Sequence, residues 1–364
     1  MMRLYKNGKL VNGEAISIGV ENGLIIAINP TNESGYSSII DLDGSYISAG
    51  WIDMHTHCYE RMDLYYDDPD EIGYKTGVTT VIDAGTTGAL DIGTFYADTR
   101  LKKTRVYAMI NIAKQGIKTQ NELADLNNID IQMIDQAIMK YPDFVIGFKV
   151  RMSASVIGDN GIVPLEIAKS IQTQFQKPLM VHIGSNPPLL VDILTRLETG
   201  DIVTHIFNGK ENGILNHLGK VRQEVWDAHN RGVIFDIGHG RESFSFDVAV
   251  QAFKECLLCD TISSDIYHHN RVEGPVYSLA HTMNKLLSVG YSLERVIEMV
   301  TVRPAEIMSL PKLGTLAVGN YADLTIFKEQ AIHQSLVDSH DVTRTLERGI
   351  QVEAVVIKGE YIEL

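Results

Sequence analysis

Between residues 50 and 310 the chain keeps returning to one unit, a short apolar run of strand length followed by a longer run with helical spacing. The strand-like runs are "WIDMHTH", "VTTVIDAG", "RVYAMINIA", "FVIGFKVRM", "PLMVHIG", "IVTHIFNG", "VIFDIGHG" and "TISSDIYHH". Helical stretches follow most of them, such as "PLEIAKSIQTQFQ" after the fourth and "DVAVQAFKECLL" after the seventh. A helix between two strands carries the chain back to the edge it left, so such units build parallel sheets. Eight of them within residues 50–310 match a closed (β/α)8 TIM barrel. An open doubly wound sheet is the competing α/β topology, but no glycine-rich phosphate fingerprint opens the first unit. Residues 1–49 and 311–364 read differently, as short hairpins such as "AISIGV" and "GLIIAI" at one end and "GNYADLTIF" and "QVEAVVIKGEYIEL" at the other. Each piece is too small to bury a face alone, so the two are expected to combine into one small β-sandwich domain.

Hydrophobic residues make up 45% of the 364, enough for a large buried core. A net charge of -14 argues against a nucleic-acid partner, which would call for a basic face. No apolar run is long enough to cross a bilayer, so no membrane partner is expected. The three cysteines, Cys58, Cys256 and Cys259, cannot form a disulfide framework, and "CLLC" at a helix end reads as core packing despite its redox spacing. The N-terminal "MMRLYKNGKLVNGEAISI" lacks the apolar centre of a secretion signal, which points to the cytoplasm. A small-molecule substrate and a homo-oligomer are expected.

Polar residues gather at the C-terminal ends of the strand-like runs, where barrels place their chemistry. His55 and His57 end the first, Lys149 and Arg151 the fourth, His182 the fifth, His205 the sixth, His239 the seventh and Asp265 the eighth. Strand alternation puts His55 and His57 on one face, with Thr56 opposite. Any one of these residues taken alone reads first as a satisfied core group, but so many at equivalent positions would be costly to bury without a common partner. Imidazoles and carboxylate without thiolate suit zinc, then manganese, iron or nickel. Six ligands exceed one tetrahedral ion and suit two divalent ions roughly 3.5 to 4 Å apart. Lys149 alone reads either as part of that set or as an anion-binding lysine.

The "HTH" after the first strand, the lysine on the fourth, histidines on the fifth and sixth, aspartate on the eighth and the returning "LGTLAVGNYADLTIF" resemble the amidohydrolase superfamily in its binuclear, dihydroorotase-like branch. The resemblance implies that His55, His57 and Asp265 hold a buried ion and that His182 and His205 hold a more exposed one. It also implies a carboxylated Lys149, whose carbamate bridges both ions, and a metal-bridged hydroxide that attacks an acyl carbonyl while Asp265 carries the proton. "GFKVRMSASVIGDNGI" and "SSDIYHHNRVEGPVYSLAHTMNKLL" are similar to a subgroup that deacetylates esters of acylated α-hydroxy acids. Dihydroorotases of the family place an arginine two residues beyond the histidine pair. Here Tyr59 occupies that position and Arg61 lies further on, against dihydroorotase activity.

The expected function is therefore a deacetylase or esterase for an acylated small hydroxy acid. A cyclic-amide hydrolase or an adenine-deaminase-like aminohydrolase is the alternative, and a non-catalytic assembly protein of the same fold is a further rival. Arg151 has two readings, a fork onto a substrate carboxylate or an ion pair with a neighbouring carboxylate. His239 is either a contact to the leaving group or carbonyl oxygen, or a structural imidazole. Tyr267, His268 and His269 are expected at the pocket rim, and Asn208 and Gly209 at the turn beyond His205.

Overall fold

The computed structural model describes residues 2–364. The chain opens with β1 (Met2–Lys9), β2 (Ala15–Glu21), β3 (Leu24–Ile28), β4 (Ser38–Asp41) and β5 (Tyr46–Ala49). It continues with β6 (Trp51–Thr56), β7 (Val78–Ala84), β8 (Arg105–Asn111), β9 (Val145–Met152), β10 (Leu179–Ile183), β11 (Ile202–Thr204) and β12 (Ile234–Asp236). It ends with β13 (Leu324–Val337), β14 (Thr343–Ile357) and β15 (Glu360–Glu363).

β6 to β12 form one parallel sheet in chain order. β7 and β9 are buried along their whole length, as expected for strands with helices on one face and a packed interior on the other. The eighth run departs from expectation: "TISSDIYHH" is not a regular strand. It closes the ring through two isolated parallel bridges, Asp236 to Thr261 and Thr56 to Ile266. The physical reason lies in Asp265, whose φ of 50° breaks the extended backbone, and in Ser264, whose amide turns to Asp53 Oδ1 at 3.0 Å. The expected helices form at Val163–Phe175 and Phe246–Lys254 on the outside. Met109, Met180 and Ile202 pack with Met308 and Leu310 into an apolar floor, and Met180 Sδ lies 3.2 Å from Lys149 Nζ just above it.

The termini join in a second sheet, ordered β15-β14-β13-β5-β1-β2-β3 with β4 on β1. The β3 edge folds back on the segment that leads into β13: Leu24 bridges Tyr321 and the Ile25 amide donates to the Asn320 carbonyl at 2.9 Å. Ile18, Ile47, Leu324, Ile326 and Val356 form its own core. The β13–β14 hairpin is long enough to leave this sheet and run along the outer helix Leu279–Val289, where Ile350 and Asn284 exchange hydrogen bonds of 2.8 and 3.2 Å. At its tip Asp338 accepts the Phe246 amide at 2.8 Å, which ties the hairpin to the segment after β12.

Candidate metal centre

The ends of β6, β9, β10 and β11 and the irregular eighth segment deliver polar side chains to a single cavity of about 390 Å³ at the C-terminal mouth of the barrel. His55, His57, Lys149, His182, His205 and Asp265 all line it. Asp265 Oδ1 lies 3.1 Å from His57 Nε2 and 3.4 Å from His55 Nε2. Lys149 Nζ is 2.9 Å from His55 Nε2, and the His182 and His205 rings meet edge to face with centroids 4.5 Å apart. Ligand atoms of His55, His205 and Asp265 fall within 4.8 Å of one another, close enough to share one ion. His205 and Asp265 both carry a positive φ, of 69° and 50°. Non-glycine residues pay strain for that conformation, so the surrounding packing must enforce it.

Three hydrogen-bonded chains decide which imidazole nitrogen faces the cavity. Thr204 Oγ1 donates to Asp236 Oδ2 at 2.7 Å and is therefore free to accept from His55 Nδ1, 2.9 Å away. Thr86 Oγ1 donates to Asp83 Oδ2 at 2.7 Å and likewise faces His57 Nδ1 at 2.8 Å. His205 Nδ1 meets the Gly238 carbonyl at 2.6 Å, an acceptor that only an N–H can satisfy. With hydrogen on Nδ1 in all three rings, Nε2 presents a lone pair inward. Lone pairs converging with a carboxylate are a donor set for divalent cations, and partners of this kind hold such ligands in register. The chemistry of the donor set thus fits a divalent metal.

Two glycines make room for this arrangement. A Cβ on Gly85, at φ 83°, would sit 2.7 Å from Lys149 Cβ. One on Gly238, at φ 48°, would lie 2.1 Å from Thr204 Oγ1 and 2.9 Å from His205 Nδ1. Any side chain there would push the orienting groups apart.

Burial sets the charge states. It holds His55 and His182 well below the ordinary imidazole range, helped by the nearby Lys149 and His205 charges respectively, and brings His205 down to about 4. Burial also lowers Lys149 to about 7 against the pull of Asp265 and Asp236. Burial alone would raise Asp265, but the contact with His57 and the charge of Lys149 outweigh it, so its carboxyl stays below its usual value.

The groups expected to touch substrate divide. Arg151 lines the cavity, yet Nη1 faces Glu122 at 3.2 and 3.3 Å, as an ion pair with a buried carboxylate. His239 does not reach the cavity, which corrects its expected contact with the leaving group or carbonyl oxygen. Its Nδ1 meets the Gly240 carbonyl at 2.7 Å, its Nε2 meets Lys285 Nζ at 2.7 Å, and its ring stacks on Phe244. Both nitrogens are engaged and the residue is fully buried, so it is structural. Tyr267 stands on the cavity wall, whereas His268 stacks on Tyr66 and His269 faces Glu273. Arg61 pairs with Asp98 in an exposed position and Tyr59 packs on Phe95, so neither faces the cavity. Asn208 closes the turn after His205 by donating to the His205 carbonyl at 2.8 Å. Cys256 is exposed and Cys259 is buried beside Tyr291, away from the centre.

Sequence reasoning passed over Thr86, Thr204, Glu122, Lys210 and Arg241. Asp83 and Asp236 were legible in principle, because "DAG" and "DIG" end the second and seventh strands at equivalent positions. The threonines and Glu122 carry no such signal, since only their partners across the barrel give them a role.

Fold and centre together define a barrel enzyme with its chemistry at the C-terminal mouth. The chain belongs to the amidohydrolase family, whose profile matches residues 46–362, and it is a hydrolase. A protein of Enterococcus faecalis named deacetylase is 52% identical over 99% of this chain and 98% of its own. A crystal structure of a protein named adenine deaminase superposes with a TM-score of 0.98 at 51% identity, covering 100% and 99% of the two chains. One of a protein named dihydroorotase gives 0.91 at 33% identity, covering 100% and 98%.

Proposed function

We propose that the protein is a binuclear metal-dependent deacetylase for an acylated small hydroxy acid. The observation that carries the metal centre is the convergence of three tautomer-fixed imidazoles, His182, Lys149 and Asp265 on one cavity. The deacetylase name of the Enterococcus relative supports the reaction class. His55, His57 and Asp265 would hold one ion and His182 and His205 the other, with zinc the first candidate. Lys149 would join both as a carbamate, because an ammonium among cations repels them while a carbamate offers anionic oxygens. When bound, the ions polarise the acyl carbonyl and acidify water.

The chain's own residues orient and move the proton. Asp265 Oδ1 points at the two imidazoles, which leaves Oδ2 to accept the proton of the attacking water and return it to the departing alkoxide oxygen. Thr204, Thr86 and Gly238 hold the rings against rotation during that transfer. The solved structure named adenine deaminase keeps aminohydrolysis as a second reading.

The test is metal analysis of purified protein together with a panel of acetylated hydroxy acids, N-acyl amino acids, ring amides and adenine. Two divalent ions per chain and release of acetate from the hydroxy-acid esters are expected. Ammonia from adenine without acetate from any ester would replace this reading with the aminohydrolase one.

A further inference from the structure

Arg151, Lys210 and Arg241 bring three cationic side chains to the cavity wall, and they are not equivalent. Arg151 is buried and its charge is matched by Glu122 at 3.2 Å. Lys210 and Arg241 have no carboxylate partner within 4.0 Å among the described residues. Arg241 is exposed, whereas Lys210 is half-buried. A cation partly withdrawn from water and left unmatched is unfavourable, so such a group is well placed for an anion that arrives from outside.

The backbone aims Lys210 inward. Asn208 accepts the Lys210 amide at 3.1 Å while donating to the His205 carbonyl, which clamps the loop just beyond β11. The ammonium then comes to rest near Gly184, at the end of β10. A Cβ built on Gly184 would lie 3.8 Å from Lys210 Nζ and 3.3 Å from His182 Nε2. Lys210 is thus the neighbour of an imidazole of the metal centre, on a wall that Ser153 and Ser185 line with hydroxyls.

We infer that Lys210, assisted by the outer Arg241, reads a carboxylate on the substrate, and that Arg151 is a positioning residue held by Glu122. The inference rests on the hydrolase reading above and deepens it by naming the group that selects an anionic substrate. The proximity of Lys210 to His182 confines the carboxylate to within a few bonds of the scissile acyl group. A neutral purine offers Lys210 ring-nitrogen acceptors but no negative charge to match it.

The experiment uses the metal-loaded enzyme with acetylated lactate and its neutral counterpart, acetylated lactamide. In Lys210→Met the preference for the acid over the amide in kcat/KM should fall about 10- to 100-fold, mostly through KM, as for loss of a charge-assisted hydrogen bond. Lys210→Arg should restore part of the preference. Arg241→Met should cost less, and its effect should fade with salt because that side chain is exposed. Calorimetric titration with lactate and lactamide supplies a readout without turnover, and the lactate preference should drop by a similar factor in Lys210→Met. An unchanged acid preference in Lys210→Met overturns the assignment, as does its collapse only when Arg151 and Glu122 are replaced together by Met and Gln. If neither ester is turned over, the deacetylase reading fails while the titration still decides Lys210. A lactate preference in the parent that Lys210→Met abolishes upholds the site, and no lactate preference in the parent removes it.

Discussion

At Asp265 one residue combines a left-handed backbone, a half-buried carboxylate and two imidazole neighbours. Replacing it with Asn keeps shape and one oxygen but removes the proton acceptor. Asp265→Asn should fold, retain at least one metal and lose roughly 100-fold or more in kcat. Turnover equal to the parent with metals intact, read by steady-state kinetics beside metal analysis, would remove the proton shuttle from this residue. Lys149 makes a different demand. It is fully buried against His55 and Met180, so Lys149→Ala leaves space where an anion would stand. Metal content and activity should fall together, and short carboxylic acids should partly restore both. A Lys149→Ala protein that holds two ions without added acid would defeat the carbamate.

The elements matter through their ends. β11 stops at Thr204 and β12 at Asp236, and the hydrogen bond between these two fixes the His55 tautomer two strands of chemistry away from its own strand. Thr204→Val keeps the volume but leaves His55 Nδ1 without its acceptor, while Asp236 keeps the Thr261 and Ser263 hydroxyls as donors. Metal affinity should fall about 10- to 100-fold, the usual cost of losing an orienting partner, measured by chelator competition. An unchanged affinity would show that ring packing alone positions His55. The eighth segment teaches a related lesson. Its residues have the composition of a strand, but the same segment must turn Asp265 into the cavity, and the turn breaks the ladder.

Across the whole molecule, the β13–β14 hairpin ties the terminal sheet to the barrel near a buried lysine. Lys285 contacts His239 and the Pro275 carbonyl, and burial brings it down to about 7, opposed only by the charge of Asp338 at the hairpin tip. The folded protein therefore releases this proton near pH 7, whereas the unfolded chain keeps it to about the ordinary lysine value near 10.4. Between those limits the unfolded state binds more protons, so this group makes stability rise with pH through the window and imposes its full penalty below it. Lys285→Met should remove that slope, gaining most over the parent below pH 7 and least near the upper limit. Denaturant melts of both proteins at fixed metal across this range check it, and parallel curves would show that Lys285 stays charged when folded.

How much of this was legible in the chain follows from the range of each force. Strand period and strand–helix alternation are local, so the barrel, the joining of both termini in one β domain and the placing of His55, His57, Lys149, His182, His205 and Asp265 at strand ends could be read from residue order alone, whereas the single sheet in place of the expected sandwich could not. Pairings across the barrel are not local. Whether Arg151 faces Glu122, whether His239 is taken by Lys285, and whether Lys210 is left without a carboxylate depend on residues 29, 46 and many more positions away. Sequence determined which chemical groups arrive at the mouth, because periodicity fixes where a strand ends. Tertiary structure decided which of those groups are already satisfied by a neighbour, because burial and hydrogen bonding act through space between segments that the order of residues does not bring together.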